Sequence, residues 1–262
     1  MRVLQNLDGW RAARRGLDGR TVGFVPTMGA LHEGHLSLIR RSAADNDVTV
    51  VSVFINATQF NDRRDLDHYP RQLDEDARMA GDAGADLLLA PPHEAVYLDD
   101  YRYRVSEASL ARHMEGAHRP GHFDGVLTVV LKLLGLVRPH RAYFGEKDYQ
   151  QLLLIRGMAE AFFLPVEIVA CPTVRAADGL ALSSRNTRLS PEGRVVAATF
   201  PRLLAACPSS EEARLGLEAA GFEVDYVVES DGRRFGAVVV DGVRSVSYTH
   251  LTLPTTIEPW GG

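Results

Sequence analysis

The chain has 262 residues, of which 45% are hydrophobic and 24% are charged, so it can form one large or two unequal globular domains. Its formal net charge of −5 argues against a dedicated nucleic-acid surface, and any phosphate should bind in a local pocket of positive groups. The apolar run 126–137 is too short to cross a membrane, and no apolar secretory segment follows the N-terminal arginines. Cys171 and Cys207 lie far apart without a C-x-x-C motif, so we expect neither a disulfide framework nor a zinc site, and a cytoplasmic location.

Strands and helices alternate along the first two thirds of the chain. A short amphipathic helix precedes a buried strand that starts at Val22 and stops at Pro26, because proline cannot donate to a sheet. Residues 27–34 predict a glycine-containing turn, and apolar residues return at helical spacing from His35. Further strands are predicted at 48–55, 86–90, 101–105, 141–145 and 166–170, a polar loop at 61–68, and helices at 73–84, 106–114, 126–137 and 149–161. This alternation predicts an α/β fold with a Rossmann-like, doubly wound parallel sheet. Met79 and the pair Phe162-Phe163 are predicted to be core residues.

The pattern changes after Val174 to that of a small α+β domain. Ser190-Pro191-Glu192 predicts a helix start, and a second helix follows at 210–219. Asp231-Gly232 is a hairpin signal between two short strands, at 223–228 and 236–240. Residues 245–262 show neither helical nor clean strand periodicity and are open to being a sequencing or assembly artefact. The predicted parts are therefore 1–174, 175–244 and an atypical tail, 245–262.

Several segments carry candidate functional residues where strands end. The turn after the first buried strand should aim backbone N–H groups and a helix N-terminus at one point, an anion site with His32 and His35 at its mouth. Two histidines near a turn are more often surface or core residues, but this is also where open α/β sheets bind ligands. The Asp74–Asp76 run is interpreted as an acidic helix face rather than a metal site.

Two later segments suit phosphate binding. Lys147 follows a strand and stands beside backbone donors, although it could simply pair with Glu146 or Asp148 on a solvated helix end. Residues 182–185 offer two hydroxyl groups and a guanidinium fork that matches phosphate oxygens, or they form a hinge loop that happens to contain serines. His122, in a predicted turn, could touch substrate or have a structural role.

The motifs resemble those of a known family. His32-Glu33-Gly34-His35 resembles the H-x-G-H box of the nucleotidyltransferase and class I aminoacyl-tRNA synthetase superfamily, and the string PTMGALHEGH at 26–35 resembles the pantothenate synthetase (pantoate–β-alanine ligase) family. The agreement extends from about residue 23 to 186 and includes the segments 59–60, 69–71, 119–126, 144–151 and 182–186.

The resemblance implies an ATP-dependent ligase that joins pantoate to β-alanine through a pantoyl-adenylate and releases AMP and pyrophosphate. It also implies a homodimer, with Mg²⁺ bound through the ATP phosphates; the sequence assigns no residue as a direct metal ligand. His35 would be the catalytic histidine, with His32, Lys147 and Arg185 as cations or donors for the developing charge. Gln59 and Gln151 would hold pantoate, with Gln59 also near β-alanine. The implied ATP-binding residues are Met28, Gly29, Ala30, Leu31, His32, Glu33, Gly34, His35, Gly145, Glu146, Lys147, Asp148, Val174, Leu182, Ser183, Ser184 and Arg185.

Two other functions remain open from the sequence. A nucleotidyltransferase of the same superfamily would leave the nucleotide on its product. A nucleotide-binding module without turnover would bind ATP only, although the combination of His32, His35 and Lys147 speaks against it.

Overall fold

A computed structural model describes residues 1–251 of the chain, which divide into two compact units. The first unit comprises Met1–Arg175 together with Leu182–Ser184, and the second comprises Ala176–Ala181 and the chain from Arg185 onward. The predicted tail residues 252–262 lie outside the described residues. No helix within 1–251 has the length and apolar character that a membrane crossing demands.

The first unit is built on a six-stranded sheet. Its strands are β1 (Arg2–Leu4), β2 (Val22–Thr27), β3 (Val48–Val53), β4 (Leu87–Leu89), β5 (Arg141–Gly145) and β6 (Glu167–Cys171). They are arranged in the order β1-β4-β3-β2-β5-β6, and each neighbouring pair is parallel. The predicted α/β fold with a parallel sheet is confirmed.

Helices follow most of these strands. They are α1 (Leu7–Arg15), α2 (Glu33–Asp45), α3 (Arg63–Asp67), α4 (Leu73–Asp82), α5 (His93–Val96), α6 (Glu115–His118), α7 (His122–Val137) and α8 (Tyr149–Ala161). Alternate residues of the central strands are buried in different clusters: Phe24 and Val50 pack with residues of α7 and α8, and Val25 and Val51 pack with residues of α2 and α4. Both faces of the sheet are therefore covered, as the two-sided apolar strands predict.

The second unit combines two helices with an antiparallel sheet. Its elements are α9 (Pro191–Ala206), α10 (Ser210–Ala219), β7 (Glu223–Ser230), β8 (Arg233–Val240) and β9 (Val243–His250). The turn Asp231-Gly232 joins β7 to β8, and Asp241-Gly242 joins β8 to β9. All four turn residues have φ between 51° and 70°, the conformation that a tight hairpin of this type needs. The stretch 245–250, assigned to the atypical tail from the sequence, is paired with β8 as part of β9.

The structure differs from the sequence prediction in five further places. β1 was not predicted, because three residues at a sheet edge give almost no periodicity. Residues 101–105 do not form a strand: the carbonyl of Asp99 accepts the Arg102 N–H and its carboxylate accepts the Tyr103 N–H, which makes a turn. The predicted polar loop 61–68 contains α3, which Asp62 caps.

Helix α7 begins at His122, four residues earlier than predicted, after the left-handed Gly121. The prediction that Phe162 and Phe163 belong to the core is wrong. They follow the end of α8, and their side chains are 54% and 91% exposed.

Candidate active site

The order of the strands identifies where a ligand should bind in the first unit. From β2 the chain continues to β3 on one side, and β5 lies on the other side of β2. In open α/β sheets, ligands bind beyond the carboxyl ends of the strands at such a reversal of strand order. The turn after β2 carries His32, and a 3₁₀ turn, Glu146–Asp148, follows β5.

The turn between β2 and α2 is held by the protein itself. Gly29 and Ala30 have φ of 84° and 51°, and the carboxylate of Asp76 on α4 accepts the N–H groups of Ala30 and Leu31 at 3.0 and 2.8 Å. The Gly29 N–H donates to Thr27 Oγ1 at 3.2 Å. The expectation that these N–H groups point at a bound anion is therefore wrong for three successive residues, because protein oxygens already accept them.

The two histidines of the motif form the N-terminal cap of α2. His32 is the N-cap residue, and its Nδ1 accepts the Gly34 N–H at 3.2 Å. The Nδ1 of His35 accepts the N–H of His32 at 3.4 Å, and the two ring centroids are 4.1 Å apart. Because each Nδ1 is an acceptor, a neutral ring carries its proton on Nε2, so each histidine has an Nε2–H to donate.

Burial keeps both imidazoles neutral. It is the main cause that lowers the pKa of His32 from 6.5 to about 4 and that of His35 from 6.5 to about 3. The positive charge of Lys147 lowers both pKa values further, whereas the negative charge of Asp148 raises them. At neutral pH the histidines are therefore hydrogen-bond donors and not cations. Of the two roles that the sequence left open for them, cation or donor, the depressed pKa values favour the donor.

Lys147 supplies the positive charge beside these rings. It is more than a hundred residues away from them in sequence, yet its charge acts on both imidazoles. Its ammonium group also lies 3.4 Å from the Asp148 carboxylate, and its side chain is 23% exposed. The structure thus combines the two interpretations of the sequence, since Lys147 pairs with Asp148 and its charge still lowers the pKa of both histidines.

Gly34 leaves room for the imidazole ring of His32. A Cβ atom at this position would lie 2.9 Å from Cε1 and 3.0 Å from Nδ1 of the His32 ring. The Cβ of Leu182 would be 3.8 Å away, so the returning segment 182–184 of the first unit packs beside the start of α2. The imidazole ring of His32 thus occupies the space that a side chain at residue 34, the third position of the H-x-G-H box, would fill.

The other predicted nucleotide-binding residues have varied surroundings. The carboxylate of Glu33 is exposed and pairs with Arg40 on the surface of α2. The carbonyl of Val174 accepts the N–H of Leu182 at 3.0 Å, and Ser184 Oγ lies 3.3 Å from the hydroxyl of Tyr69. The remaining residues are Met28, partly exposed after β2; Gly145, the last residue of β5; Glu146, in the 3₁₀ turn; Ser183, between Leu182 and Ser184; and Arg185, which begins the longer part of the second unit.

Gln59 lies after β3 and is positioned by a network of hydrogen bonds. It ends a 3₁₀ turn after β3, and its amide oxygen accepts Nδ2 of Asn56 at 2.9 Å. This bond orients the amide, so the NH₂ group of Gln59 is the group left to donate. The backbone carbonyl of Gln59 accepts Nδ1–H of His122 at 2.8 Å, and Nε2 of His122 lies 3.2 Å from an Arg119 guanidinium nitrogen. Both ring nitrogens of His122 are thus engaged within the protein, which gives His122 a structural role as a support for Gln59.

Of the two adjacent glutamines on α8, only one is engaged by the protein. Gln150 is buried and bonds to Leu110, His113 and Glu115 through its side chain. Gln151, the predicted pantoate ligand, is partly exposed and has no hydrogen-bond partner for its side chain among residues 1–251. The structure thus leaves Gln151 free to bind a ligand.

Asp76 is the residue near the histidines that the sequence prediction missed. It stands in the acidic run assigned to a solvated helix face, yet it is only 1% exposed. A signal was present, because Asp76, Ala80 and Ala83 follow the spacing of one buried helical face and the last two are buried as well.

Comparisons with known proteins agree with this geometry. The sequence model of a family described as pantoate-beta-alanine ligase matches residues 1–253. A pantothenate synthetase of Bdellovibrio bacteriovorus is 51% identical over 249 residues, which cover 95% of this chain and 99% of that protein. One from Legionella pneumophila is 49% identical over 247 residues, covering 94% and 98%.

Solved structures give the same result. The crystal structure of the pantoate-beta-alanine ligase from Francisella tularensis, complexed with beta-gamma ATP and beta-alanine, matches with a TM-score of 0.91 and 38% identity over 95% of this chain and 97% of that one. Pantothenate synthetase from Thermus thermophilus matches with a TM-score of 0.89 and 41% identity over 95% and 99%.

Proposed function

Because the chain belongs to the pantoate–β-alanine ligase family, we propose that the site beyond β2 and β5 carries out the ATP-dependent joining of pantoate to β-alanine. The protein is a ligase of pantothenate biosynthesis, and ATP is its substrate. The observation that carries the assignment to this site is a pair of neutral imidazoles, 4.1 Å apart at the reversal of strand order, whose pKa values the charge of Lys147 lowers.

The reaction needs an activated carboxylate, since a carboxylate is a poor electrophile. A carboxylate oxygen of pantoate attacks the α-phosphorus of ATP, the bond from that phosphorus to the bridging oxygen breaks, and pyrophosphate leaves. The amine of β-alanine then attacks the acyl carbon of the adenylate, loses a proton, and AMP departs with the bonding pair. The first step depends on in-line positioning and on stabilising negative charge, and it needs no protein nucleophile.

We assign the roles in the first step from the protonation states. The Nε2–H groups of His32 and His35 would donate to phosphate oxygens, and Lys147 would supply the positive charge. Such preorganised donors in a water-poor site stabilise developing charge strongly. Gln59 and Gln151 would grip the hydroxyl and carboxylate groups of pantoate with uncharged amides, and Arg185 would bind phosphate oxygens through its guanidinium fork.

A pyrophosphate-release assay tests the proposed function. With ATP and pantoate alone we expect one burst of pyrophosphate per site, and with β-alanine we expect continuous turnover with AMP as the nucleotide product. An adenylylated final product, or no release at all, would contradict the proposal. His35→Ala and Lys147→Ala should keep the fold, checked by circular dichroism, and lose the burst, and Arg185→Met should weaken ATP binding.

We propose that Mg²⁺ reaches the site on the phosphates of ATP. Mg²⁺ prefers phosphate oxygens and water, and residues 1–251 contain no group of three or more His, Cys, Asp or Glu that could hold a metal ion. The carboxylate of Asp148, in the 3₁₀ turn after β5, contacts the ammonium group of Lys147. Chelation should abolish turnover, and calorimetry should detect Mg²⁺ binding only when ATP is present. Tight binding of Mg²⁺ to the protein alone would contradict this.

A homodimer and a cytoplasmic location complete the proposal. The dimer rests on the family resemblance, and light scattering coupled to gel filtration should give twice the 28.8 kDa mass of one chain. The location is supported by the two unpaired cysteines, and fractionation of the source cell tests it.

A further inference from the structure

Asp76 is a buried carboxylate for which the proposed chemistry has no use. It lies in the first turn of α4 and is 1% exposed, whereas its neighbours Asp74 and Glu75 are exposed. It has no ion-pair partner among residues 1–251. Burial of a carboxylate is costly unless hydrogen bonds compensate for the lost water. Its position therefore needs an explanation from the groups that it contacts.

Both carboxylate oxygens bind the turn that precedes the H-x-G-H box. Oδ2 accepts the Ala30 N–H at 3.0 Å, and Oδ1 accepts the Leu31 N–H at 2.8 Å. The amide of Gln72, four residues earlier on the chain, is 3.4 Å from Oδ1. Hydrogen bonds to a charged acceptor are about twice as strong as neutral ones. The carboxylate thus accepts hydrogen bonds from two consecutive backbone amides, one on each oxygen.

The turn has a shape that it would not keep by itself. Gly29 and Ala30 both have positive φ, and the left-handed conformation is unfavourable for alanine. The backbone of Gly29 also approaches Asp76 so closely that a Cβ atom there would be 2.8 Å from Oδ2. The two acceptor oxygens of the carboxylate compensate for this conformation, and the residue after Leu31 is His32, the N-cap of α2.

We propose that Asp76 is a positioning residue for the first step of the reaction. It fixes residues 29–31 so that His32 and His35 present Nε2–H to the reacting phosphate, and it keeps the amides of Ala30 and Leu31 away from the triphosphate. This inference rests on the proposed function for its effect on catalysis, but the anchoring itself is a property of the free protein.

Asp76→Asn tests the inference, because asparagine has the same size and offers only one acceptor oxygen. Its NH₂ group must face one of the two backbone N–H groups, so one of those bonds is lost. Asp76→Glu keeps the charge but moves it by one methylene. The matched control is Asp74→Asn, which removes an exposed carboxylate from the same helical turn.

We expect the rate of pyrophosphate release to fall on the order of 10²-fold in Asp76→Asn, the loss typical of a displacement of about 1 Å, with the KM for ATP changed less than about threefold. Asp76→Glu should lose most of this rate as well, and Asp74→Asn should match the wild type. Amide exchange measured by NMR should show Ala30 and Leu31 protected in the wild type and deprotected at least tenfold in Asp76→Asn, with the β3 amides unchanged.

Wild-type amides of Ala30 and Leu31 that exchange at the rate of an open chain would overturn the proposal without any variant. So would a turnover of Asp76→Asn within twofold of the wild type, or a loss of protection spread evenly over the sheet. If the wild type itself releases no pyrophosphate from ATP and pantoate, the proposed function fails, while the exchange measurement still decides whether Asp76 anchors the turn.

Discussion

Gly34→Ala is the substitution that should separate the chemistry of this site from its stability. The added Cβ would lie 2.9 Å from Cε1 of His32, and carbon atoms in contact are about 3.5 Å apart or more. The ring must therefore move by roughly 0.6 Å, away from the amide that binds its Nδ1. Since a displacement of about 1 Å can cost 10²-fold, we expect the first step to slow by roughly ten- to a hundredfold.

The same substitution should leave the fold nearly as stable as before. Alanine is favoured over glycine in a helix interior by about 0.8–1.0 kcal/mol; at Gly34, the second residue of α2, the gain is smaller and offsets part of the strain at His32. The free energy of unfolding, measured by urea denaturation, should therefore change by less than about 1 kcal/mol. Gly157→Ala is the control, because Gly157 is exposed within α8 and a Cβ there would meet nothing within 4 Å. It should raise stability and leave the rate unchanged.

The assay is single-turnover pyrophosphate release with saturating ATP and pantoate, normalised to folded protein. A Gly34→Ala enzyme with the wild-type rate would refute the claim that the ring of His32 fills the side-chain space of residue 34. A rate that falls only in proportion to the unfolded fraction would refute it equally.

Three further predictions concern the charges and supports of the site. Because His32 and His35 have pKa values of about 4 and 3, the rate of the pyrophosphate burst should show no ionisation of these histidines near pH 6.5. As the pH drops from about 6.5 toward 4, the histidines of the unfolded chain take up protons before those of the folded protein. The free energy of unfolding should therefore fall over this range. Lys147→Ala should raise the pKa of both imidazoles in an NMR titration, since its charge lowers them, and should cost the first step about 2.7–4 kcal/mol. His122→Ala removes one of the two donors to the part-buried carbonyl of Gln59, the other being Arg119 at 3.3 Å, so the lost hydrogen bond should lower the free energy of unfolding by about 0.5–1.5 kcal/mol, and the KM for pantoate should rise more than that for ATP.

The parts of the fold that the sequence predicted are those with strong local patterns. Strand β5 and helices α8 and α10 were placed at the observed residues, because apolar runs and helical spacing are bounded there by clear turn signals. Asp231-Gly232 predicts the hairpin between β7 and β8, and Asp241-Gly242 carries the same signal, but the residues of β9 lack a clear strand periodicity. Only three-dimensional pairing with β8 turns residues 243–250 into a strand.

The candidate site was predictable as a set of residues but not as a set of interactions. Position at strand ends selects Lys147 and the histidines, because parallel strands bring their carboxyl ends to one edge. The role of Asp76 depends on a contact with residues 45 and 46 positions away, and no local pattern in an acidic helix reports such a contact. The support of Gln59 by His122, 63 residues away, is long-range in the same way.

Protonation is the property of this site that requires the structure most. A histidine pair in an exposed turn would titrate near pH 6.5 and could bind phosphate as cations. Here burial is the main cause that lowers the pKa of both histidines, so they do not carry a positive charge at neutral pH. The ammonium group of Lys147 lowers both pKa values further. The site therefore divides the work between one ammonium group and two neutral donors, whose Nδ1 atoms already accept backbone N–H groups. A measured pKa near 6.5 for His35 in the free enzyme would remove this division, and the catalytic roles would have to be assigned again.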